Sequence, residues 1–425
     1  MRLLSVVLLA AWCPVPPASA HLPQLFGFEY IRVEEHAQPL LPVAGAAPGP
    51  GDETRPVRAV GDSALLHRIT ESEDSTGPYA PGLADPLISL GLQHQLRGDY
   101  DEALRAYQRA LHVIRVNDGL TSEYQIPTLR RLMGLYRDLG DYARLHDAYV
   151  YLLRLRTAEG PPYESEALDD SLEYFRWQRQ SYAAPDSARR HSHLLQAYRD
   201  NRRMLAALAP QGEEALEGYR RLAFSQLYNL YLILGLDPDR LRSSGISMEQ
   251  DFKDEAALEH LLRIQEVGLY EGKNLLLELI ERSKDAPPED LAALHLELGD
   301  WYQWNESLQR AREHYEEVFR LLRGTEREDL LTRWLDAPVE LPDEDEAWLQ
   351  PDSAASPGPV VVARYRVSER GDVTDLDVSL HDADEGPEAA RIGRMLRDTH
   401  FRPRFSDGEP RRSGEVTRYY RLIDR

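Results

Sequence analysis

The tripeptide Gly-Asp-Tyr occurs twice in this chain, at residues 98–100 and 140–142, and both times it interrupts a helical pattern. On either side of each tripeptide, apolar and small residues recur every three or four positions, which is typical of amphipathic helices. Gly and Asp favour a tight turn between two such helices. A single helix pair cannot bury its apolar face alone, so the recurrence predicts a stack of helix pairs.

A third segment, residues 294–322, has the same layout, with Glu306 and Ser307 at the turn. Small residues in the first unit should let its two helices approach closely, whereas Leu145 and Leu152 in the second unit predict looser packing. The positions that define the pattern are Leu90, Gly91, Gly98, Tyr100, Ala103, Tyr107, Ala110, Gly140, Tyr142, Gly299, Tyr302, Ala311 and Tyr315.

This pattern resembles the tetratricopeptide repeat. The resemblance implies a mainly α-helical solenoid over residues 84–335, in which residues 165–284 are degenerate repeats. It also implies a concave groove that binds protein partners, although the Lys and Asn set with which some repeats clamp a C-terminal carboxylate is missing. The positions that correspond to the groove are Gln95, Arg130, Arg137, Asp300, Gln303 and Trp304.

Residues 360–425 follow a different pattern. Two alternating stretches, 360–367 and 373–380, flank a turn at Gly371 and predict a β-hairpin. Pro387 opens a short amphipathic helix, and the sequence FRPRFSDGEP then leads into a closing strand. Because proline lacks an N–H, the two prolines of that sequence exclude a helix there. The predicted order is β-β-α-β, which makes a small α+β domain.

A second resemblance rests on the motif residues of this region, Gly371, Phe401, Pro403, Gly408 and Pro410. They resemble the C-terminal domain of TonB-type periplasmic proteins, which implies docking to a second protein. A three-stranded sheet keeps an open edge, so we expect docking by strand addition. Within the domain we expect Phe401 to lie beneath Ile392 and Leu396, and we expect the domain to be independent of the solenoid.

Residues 1–20 have the parts of a secretory signal: a short positive start, an apolar core and a small-residue cleavage site. An uncleaved membrane anchor and a lipoprotein that uses Cys13 are the alternatives. Cys13 is the only cysteine, so a cleaved chain has neither disulfides nor thiolate sites. Composition predicts an N-terminal arm and flexible Pro/Gly-rich linker over residues 21–83, and an acidic Pro/Ser linker over residues 336–359.

The net charge of −22 argues against nucleic acid and anionic membrane surfaces as partners. The sequence contains none of the common nucleophile, zinc-protease or nucleotide-binding motifs, so we expect no enzyme activity, no cofactor and no metal site. His191 and His193 point to different sides of a helix, and we expect both on the solvated surface. The acidic run 343–346 is expected to be solvated linker.

These observations together favour a periplasmic, non-enzymatic adaptor. Its repeat groove would bind one protein and its TonB-like domain would dock another, with envelope or outer-membrane proteins or peptides as partners and no transmembrane span in the mature chain. Two alternatives stay open. One is an anchored TonB-type energy transducer for outer-membrane transport, facing the periplasm from the inner membrane. The other is an envelope enzyme whose active site no motif reveals.

Overall fold

The computed structural model describes most of the chain between the N-terminal arm and the closing strand. The expectations for the signal peptide, Cys13, the run 343–346 and most of both linkers lie outside the described residues. Those residues are 30–33, 61–157, 165–183, 189–209, 211–212, 215–236, 252–342, 360–380 and 386–422.

The described part is mainly helical, as predicted, with a small sheet region at its C-terminal end. Consecutive helices from α2 to α12 contact one another, and one apolar core runs through them from Ala103 to Phe405. No described helix is both long and apolar enough to cross a membrane. Before the sheet region the helices are α1 (Gly61–Thr76), α2 (Ala84–Arg97), α3 (Tyr100–Asp118), α4 (Ile126–Asp138), α5 (Tyr142–Arg156), α6 (Ser165–Ala183), α7 (Arg190–Leu208), α8 (Leu216–Leu234), α9 (Phe252–Arg282), α10 (Pro288–Trp304), α11 (Leu308–Leu322) and α12 (Asp329–Leu335).

The three predicted turns share one backbone geometry. Gly98, Gly140 and Glu306 all have positive φ, at 81°, 67° and 57°. Each donates its N–H to the carbonyl oxygen three residues earlier, over 3.0 to 3.1 Å. Positive φ is nearly free for glycine and strained for other residues, so Glu306 holds a glycine conformation at an energetic cost.

The helix packing beside these turns is also shared between the first and the last pair. A Cβ atom on Gly91 would lie 2.6 Å from Cε1 of Tyr107, and one on Gly299 would lie 2.6 Å from Cε1 of Tyr315. Both tyrosines are fully buried. Each glycine therefore makes room for the ring of a tyrosine sixteen residues later, on the partner helix.

Residues 61–83, which composition assigned to a flexible linker, contain helix α1 and a short 3-10 turn. Ile69 and Leu83 are buried and join Leu87 of α2 in a separate small core. Helix α1 has few apolar residues, and acidic and hydroxyl residues lie between them. Composition alone therefore did not predict this helix. The helical region thus begins before residue 84.

The C-terminal region has the predicted β-β-α-β order with one added hairpin. The main sheet has the strand order β1-β8-β3-β4, in which the N-terminal strand β1 (Tyr30–Val33) pairs antiparallel with β8. The expected three-stranded sheet therefore has a fourth strand from the chain's own N-terminal arm, and β4 forms its other edge. The elements are β3 (Val360–Val367), β4 (Val373–Leu380), α13 (Pro387–Asp398), β5 (Phe401–Arg402), β6 (Arg404–Ser406), β7 (Glu409–Arg411) and β8 (Val416–Leu422).

The added hairpin is the Asp-Gly turn of the FRPRFSDGEP sequence. Strands β6 and β7 pair around Asp407 and Gly408, which both have positive φ, and Pro410 lies within β7 opposite Phe405. Before the hairpin, Phe401 is buried in one cluster with Ile392 and Leu396, as predicted.

A further strand, β2 (Val339–Glu340), lies in the segment that the sequence assigned to the acidic linker. It pairs antiparallel with β5, so that Glu340 lies opposite Phe401 and Val339 opposite Arg402. The chain leaving the last helix is therefore tied to the C-terminal region before the linker begins.

Candidate protein-binding surface

The residues predicted to line a partner groove face the next layer of the stack. In the first helix pair, the Gln95 side-chain amide donates to Oδ2 of Asp138 on α4 over 3.4 Å. Its oxygen accepts from the Tyr107 hydroxyl over 3.0 Å. Gln95 thus joins α2 to α3 and α4.

The arginines of the second pair are held in the same way by α6. Arg130 forms ion pairs with Asp170 and, over 3.2 Å, with Glu173. Arg137 donates to the Tyr149 hydroxyl over 3.0 Å, and that hydroxyl donates to Glu173 over 2.9 Å. Burial and the nearby Glu173 charge raise the pKa of Tyr149, so it stays a neutral donor. Both arginines remain partly exposed, but their charge is already matched.

In the last pair, the C-terminal region takes the place of the next layer. Arg402 of β5 makes a bidentate ion pair with Asp300 of α10, with Nη2–Oδ2 at 2.7 Å and Nε–Oδ1 at 2.9 Å. Each side chain is only 2% exposed. Arg402 also donates to the Trp334 carbonyl, and the Tyr315 hydroxyl donates to Asp300, both over 2.8 Å. The buried charges are therefore paired and hydrogen-bonded, which such a pair requires.

Gln303 contacts the tip of the first hairpin of the C-terminal region. Its amide donates to the Arg370 carbonyl over 2.6 Å. A Cβ atom on the next residue, Gly371, would lie 2.4 Å from Nε2 of Gln303 and 2.1 Å from the Phe401 carbonyl oxygen. Gly371 is therefore needed for two reasons: a side chain would clash with Gln303 and Phe401, and the turn requires a φ of 92°.

Apolar packing and outer ion pairs complete the same contact. The Phe405 ring lies against Tyr315 and Phe319, with centroids 4.9 and 6.1 Å apart. The exposed ion pair between Arg312 and Glu409 lies at its rim, with both bonds at 2.7 Å. We call this contact between α10–α12 and β5–β7, centred on Asp300 and Arg402, the cap interface.

The cap interface bears on two expectations. Asp300 and Gln303 are buried against the chain's own C-terminal region, so they do not line a groove open to a partner. The C-terminal region has a core of its own around Phe401, and its Phe405 joins the core of the helices; the independence of the domain stays a prediction. Trp304, the remaining predicted groove residue, is half-buried and packs edge-on against Tyr231 at 5.1 Å.

Of the two histidines expected on the surface, His191 is buried and His193 is half-buried. His191 is buried and its Nδ1 lies 2.7 Å from Oδ2 of Asp254, whose other oxygen accepts the Ser192 N–H over 2.8 Å. Burial tends to raise the pKa of Asp254, but these hydrogen bonds outweigh it and hold the pKa below its usual value. The His193 ring lies against Trp177, and burial lowers its pKa to about 4. Helix α7 contacts α6, α8 and α9, so both of its sides are covered.

Several exposed apolar side chains lie at the turns of the first two helix pairs, and others lie within residues 116–124 and on α9. Leu96 is 78% exposed and Leu139 42%, and the hydrogen bond between Gln95 and Asp138 holds their two turns side by side. Among the described residues after 283, no large apolar side chain is comparably exposed. We call this surface the turn edge; its residues are Leu92, Leu96, Tyr100, Leu139 and Tyr142.

Neither a protein-family model nor a curated protein matches this chain. The candidate site therefore rests on the chain's own geometry. Two of its residues, Tyr100 and Tyr142, belong to the repeat pattern read from the sequence, whereas Leu92, Leu96 and Leu139 were not singled out. The signal that could have found Leu96 is its apolar side chain at a position where the repeat pattern leaves a helix face uncovered.

Proposed function

We propose that this chain is a non-enzymatic adaptor of a bacterial periplasm that binds another protein through the turn edge. The helices form a tetratricopeptide-type solenoid in this proposal, and the C-terminal region is a TonB-like domain that caps it. The observation that carries the proposal is the set of exposed apolar side chains at the first two turns, which the hydrogen bond between Gln95 and Asp138 holds side by side. Soluble proteins rarely leave such a surface uncovered unless another molecule binds it.

The partner's chemistry follows from the surroundings of the turn edge. Leucine and tyrosine side chains offer apolar and aromatic contact, which favours an apolar segment of a protein. The neighbouring Arg130 and Arg137 are already paired with carboxylates, so they offer little attraction to an acidic ligand. A strongly negative chain also repels nucleic acid, which leaves protein as the expected class.

A second partner would dock at the sheet. Strand β8 is covered by β1, whereas β4 pairs only with β3 among the described strands. Strand addition at β4 is therefore the route by which the TonB-like domain would bind. That route leaves both the cap interface and the turn edge in place.

Site-specific photo-crosslinking in the source bacterium tests the proposal. A photoreactive amino acid at Leu96 or at Tyr142 should give the same protein adduct, identified by mass spectrometry. The matched control is Glu259, an exposed residue of α9 away from the turn edge, which should give no such adduct. The double substitution Leu96→Glu with Leu139→Glu should abolish the adduct at Tyr142. Adducts of equal yield at all three positions, or none at either turn, would refute the proposal.

A further inference from the structure

Two histidine rings meet on the outer side of the last helix pair. His295 of α10 and His314 of α11 place their Nδ1 atoms 3.0 Å apart, with ring centroids 5.3 Å apart. At that distance one Nδ1 carries a proton and donates it to the lone pair of the other. Both rings are half-buried, so each keeps an edge toward solvent.

The surroundings hold these rings in place and keep them neutral. Tyr302 stacks on His314, with centroids 5.5 Å apart and planes within 8°. Burial, and then the neighbouring His295, lower the pKa of His314 to about 4. Burial also lowers the pKa of His295. Two neutral imidazoles at pH 7 have lone pairs available for a metal ion, without a proton to displace.

We propose that His295 and His314 form a binding site for a borderline divalent ion such as Zn²⁺, held by the two Nδ1 atoms. Two nitrogen ligands at about 2.0–2.1 Å on one tetrahedral ion lie about 3.3 Å apart, so the two Nδ1 atoms need to separate by only a few tenths of an ångström. The rings also turn so that both lone pairs point at the ion. The shared proton shifts to Nε2 of its own ring when the ion enters, so binding releases no proton.

The rest of the coordination sphere is water. Among the described residues, no group of three or more His, Cys, Asp or Glu side chains has a metal-binding arrangement. The Glu317 carboxylate acts on both rings and favours a cation beside them, while its ion pair with Arg320 offsets part of that attraction. A site of two imidazoles and water suits Zn²⁺, Ni²⁺ or Cu²⁺ and not Mg²⁺, which prefers oxygen ligands.

Zinc binding to the α10–α11 pair would cross-link the layer that carries the cap interface. The two helices each supply one ligand, so an ion replaces the hydrogen bond between the two Nδ1 atoms with two metal–ligand bonds and adds to the existing packing of the pair. This role is independent of partner binding at the turn edge.

Titration calorimetry of the tag-free full chain with ZnCl₂ tests the inference. Excess Mg²⁺ and 0.15 M salt occupy weak carboxylate sites, which matter in a chain of charge −22. We expect one Zn²⁺ per chain, and we expect His295→Gln and His314→Gln each to abolish that event. Nitrogen NMR of the wild-type histidines should show the metal-dependent shift at Nδ1 of both rings.

The matched control is His260→Gln, which removes an exposed histidine of α9 and should leave zinc binding unchanged. Circular dichroism of each variant without metal checks that the helices persist. The more conservative His314→Asn repeats the test if His314→Gln does not fold. Absence of a one-ion event in the wild type, or its persistence at wild-type affinity in either His295→Gln or His314→Gln, would overturn the inference.

Discussion

The first and the last helix pairs have the same internal geometry and different neighbours. Both have the positive-φ turn and the glycine that makes room for a tyrosine ring. In the first pair, Leu96 beside the turn is open to solvent. In the last pair, the equivalent Trp304 packs on Tyr231, and Asp300 is covered by Arg402. The same position of the sequence pattern is therefore a candidate binding surface in one pair and an internal interface in the other.

The difference shows that the neighbour, and not the repeat, decides what a surface position does. A stack of helix pairs exposes an apolar end unless a terminal layer covers it. Here the C-terminal region covers that end, and its Arg402 pairs with the buried carboxylate of Asp300. Residues 360–425 contain thirteen arginines and thirteen acidic residues, so the whole net charge of −22 belongs to residues 1–359. The neutral C-terminal region therefore meets no net repulsion from the acidic remainder, and the specific attraction comes from the ion pairs Arg402–Asp300 and Arg312–Glu409.

The largest expected effect is at the cap interface. Asp300→Ala leaves the Arg402 guanidinium buried without its partner, which should cost about 3–5 kcal/mol of unfolding free energy. The equivalent substitution in the first pair, Leu92→Ala, removes a half-exposed side chain and should cost far less. Urea unfolding followed by circular dichroism measures both. If Asp300→Ala and Leu92→Ala lower the free energy of unfolding equally, Asp300 is no more buried than Leu92, and the cap interface is wrong.

A substitution at the shared glycine tests whether the two pairs are built alike. Gly91→Ala and Gly299→Ala should each cost roughly 1–3 kcal/mol, because the new methyl group overlaps a buried tyrosine ring. Gly134→Ala is the matched control, since nothing lies within 4 Å of a Cβ there. It should stabilise α4 by up to about 1 kcal/mol through helix propensity. If only one of the two variants, Gly91→Ala or Gly299→Ala, leaves the free energy of unfolding unchanged, the two pairs are not packed alike.

Acid should weaken the last pair through His314, just as it should weaken the middle of the helical region through His193, whose pKa is also lowered to about 4. The pKa of His314 is about 4 in the folded chain, below its unfolded value of about 6.5. Below pH 6.5 the unfolded chain binds a proton that the folded chain does not, so stability is complete above pH 6.5 and falls as the pH drops toward 4. After solvent screening the loss from pH 7.5 to 5 should be roughly 1 kcal/mol. Thermal melts in EDTA at both pH values measure this loss of stability. The His314→Gln variant should lose about 1 kcal/mol less than the wild type. If its stability depends on pH as strongly as that of the wild type, the prediction is wrong.

The smallest effect is expected at the turn of the last pair, where Glu306 stands in place of glycine. Glu306→Gly relieves the positive-φ strain and adds backbone entropy to the unfolded chain, for a net gain of roughly 0.5–1 kcal/mol. Gly98→Ala in the first pair should destabilise by a similar amount. Thermal melts of the two variants should therefore shift in opposite directions. A loss on Glu306→Gly would mean that this side chain makes a contact worth more than the strain.

Local features of the fold were predictable because nearby residues determine them. The turns at Gly98 and Gly140 follow from a tripeptide, and the Asp-Gly hairpin follows from two residues that tolerate positive φ. Phe401 was placed correctly because the helical spacing of Ile392 and Leu396 defines the face that covers the sheet. None of these inferences needed a contact across the chain.

Long-range contacts were not predictable for the converse reason. Arg402 meets Asp300 across 102 residues, and Tyr30 pairs with Leu422 across nearly the whole chain. No periodicity encodes which of many arginines is buried. His191 was predicted on the surface because the sequence of its own helix does not show that a further helix covers it. The burial of Asp300 and Gln303 was not predictable for the same reason, since the pattern names positions and not their neighbours.

Cleavage between the helices and the C-terminal region tests the cap interface most directly. A protease site placed within residues 347–352 would be cut in the folded chain, and the fragments would then be run on gel filtration at micromolar concentration. Strand β1 also joins the two fragments through β8, so the chain used here starts at residue 61. The interface predicts that its wild-type fragments elute together and that Asp300→Ala lets them separate. Wild-type fragments that elute apart, or an Asp300→Ala pair that stays joined as tightly as wild type, would contradict it.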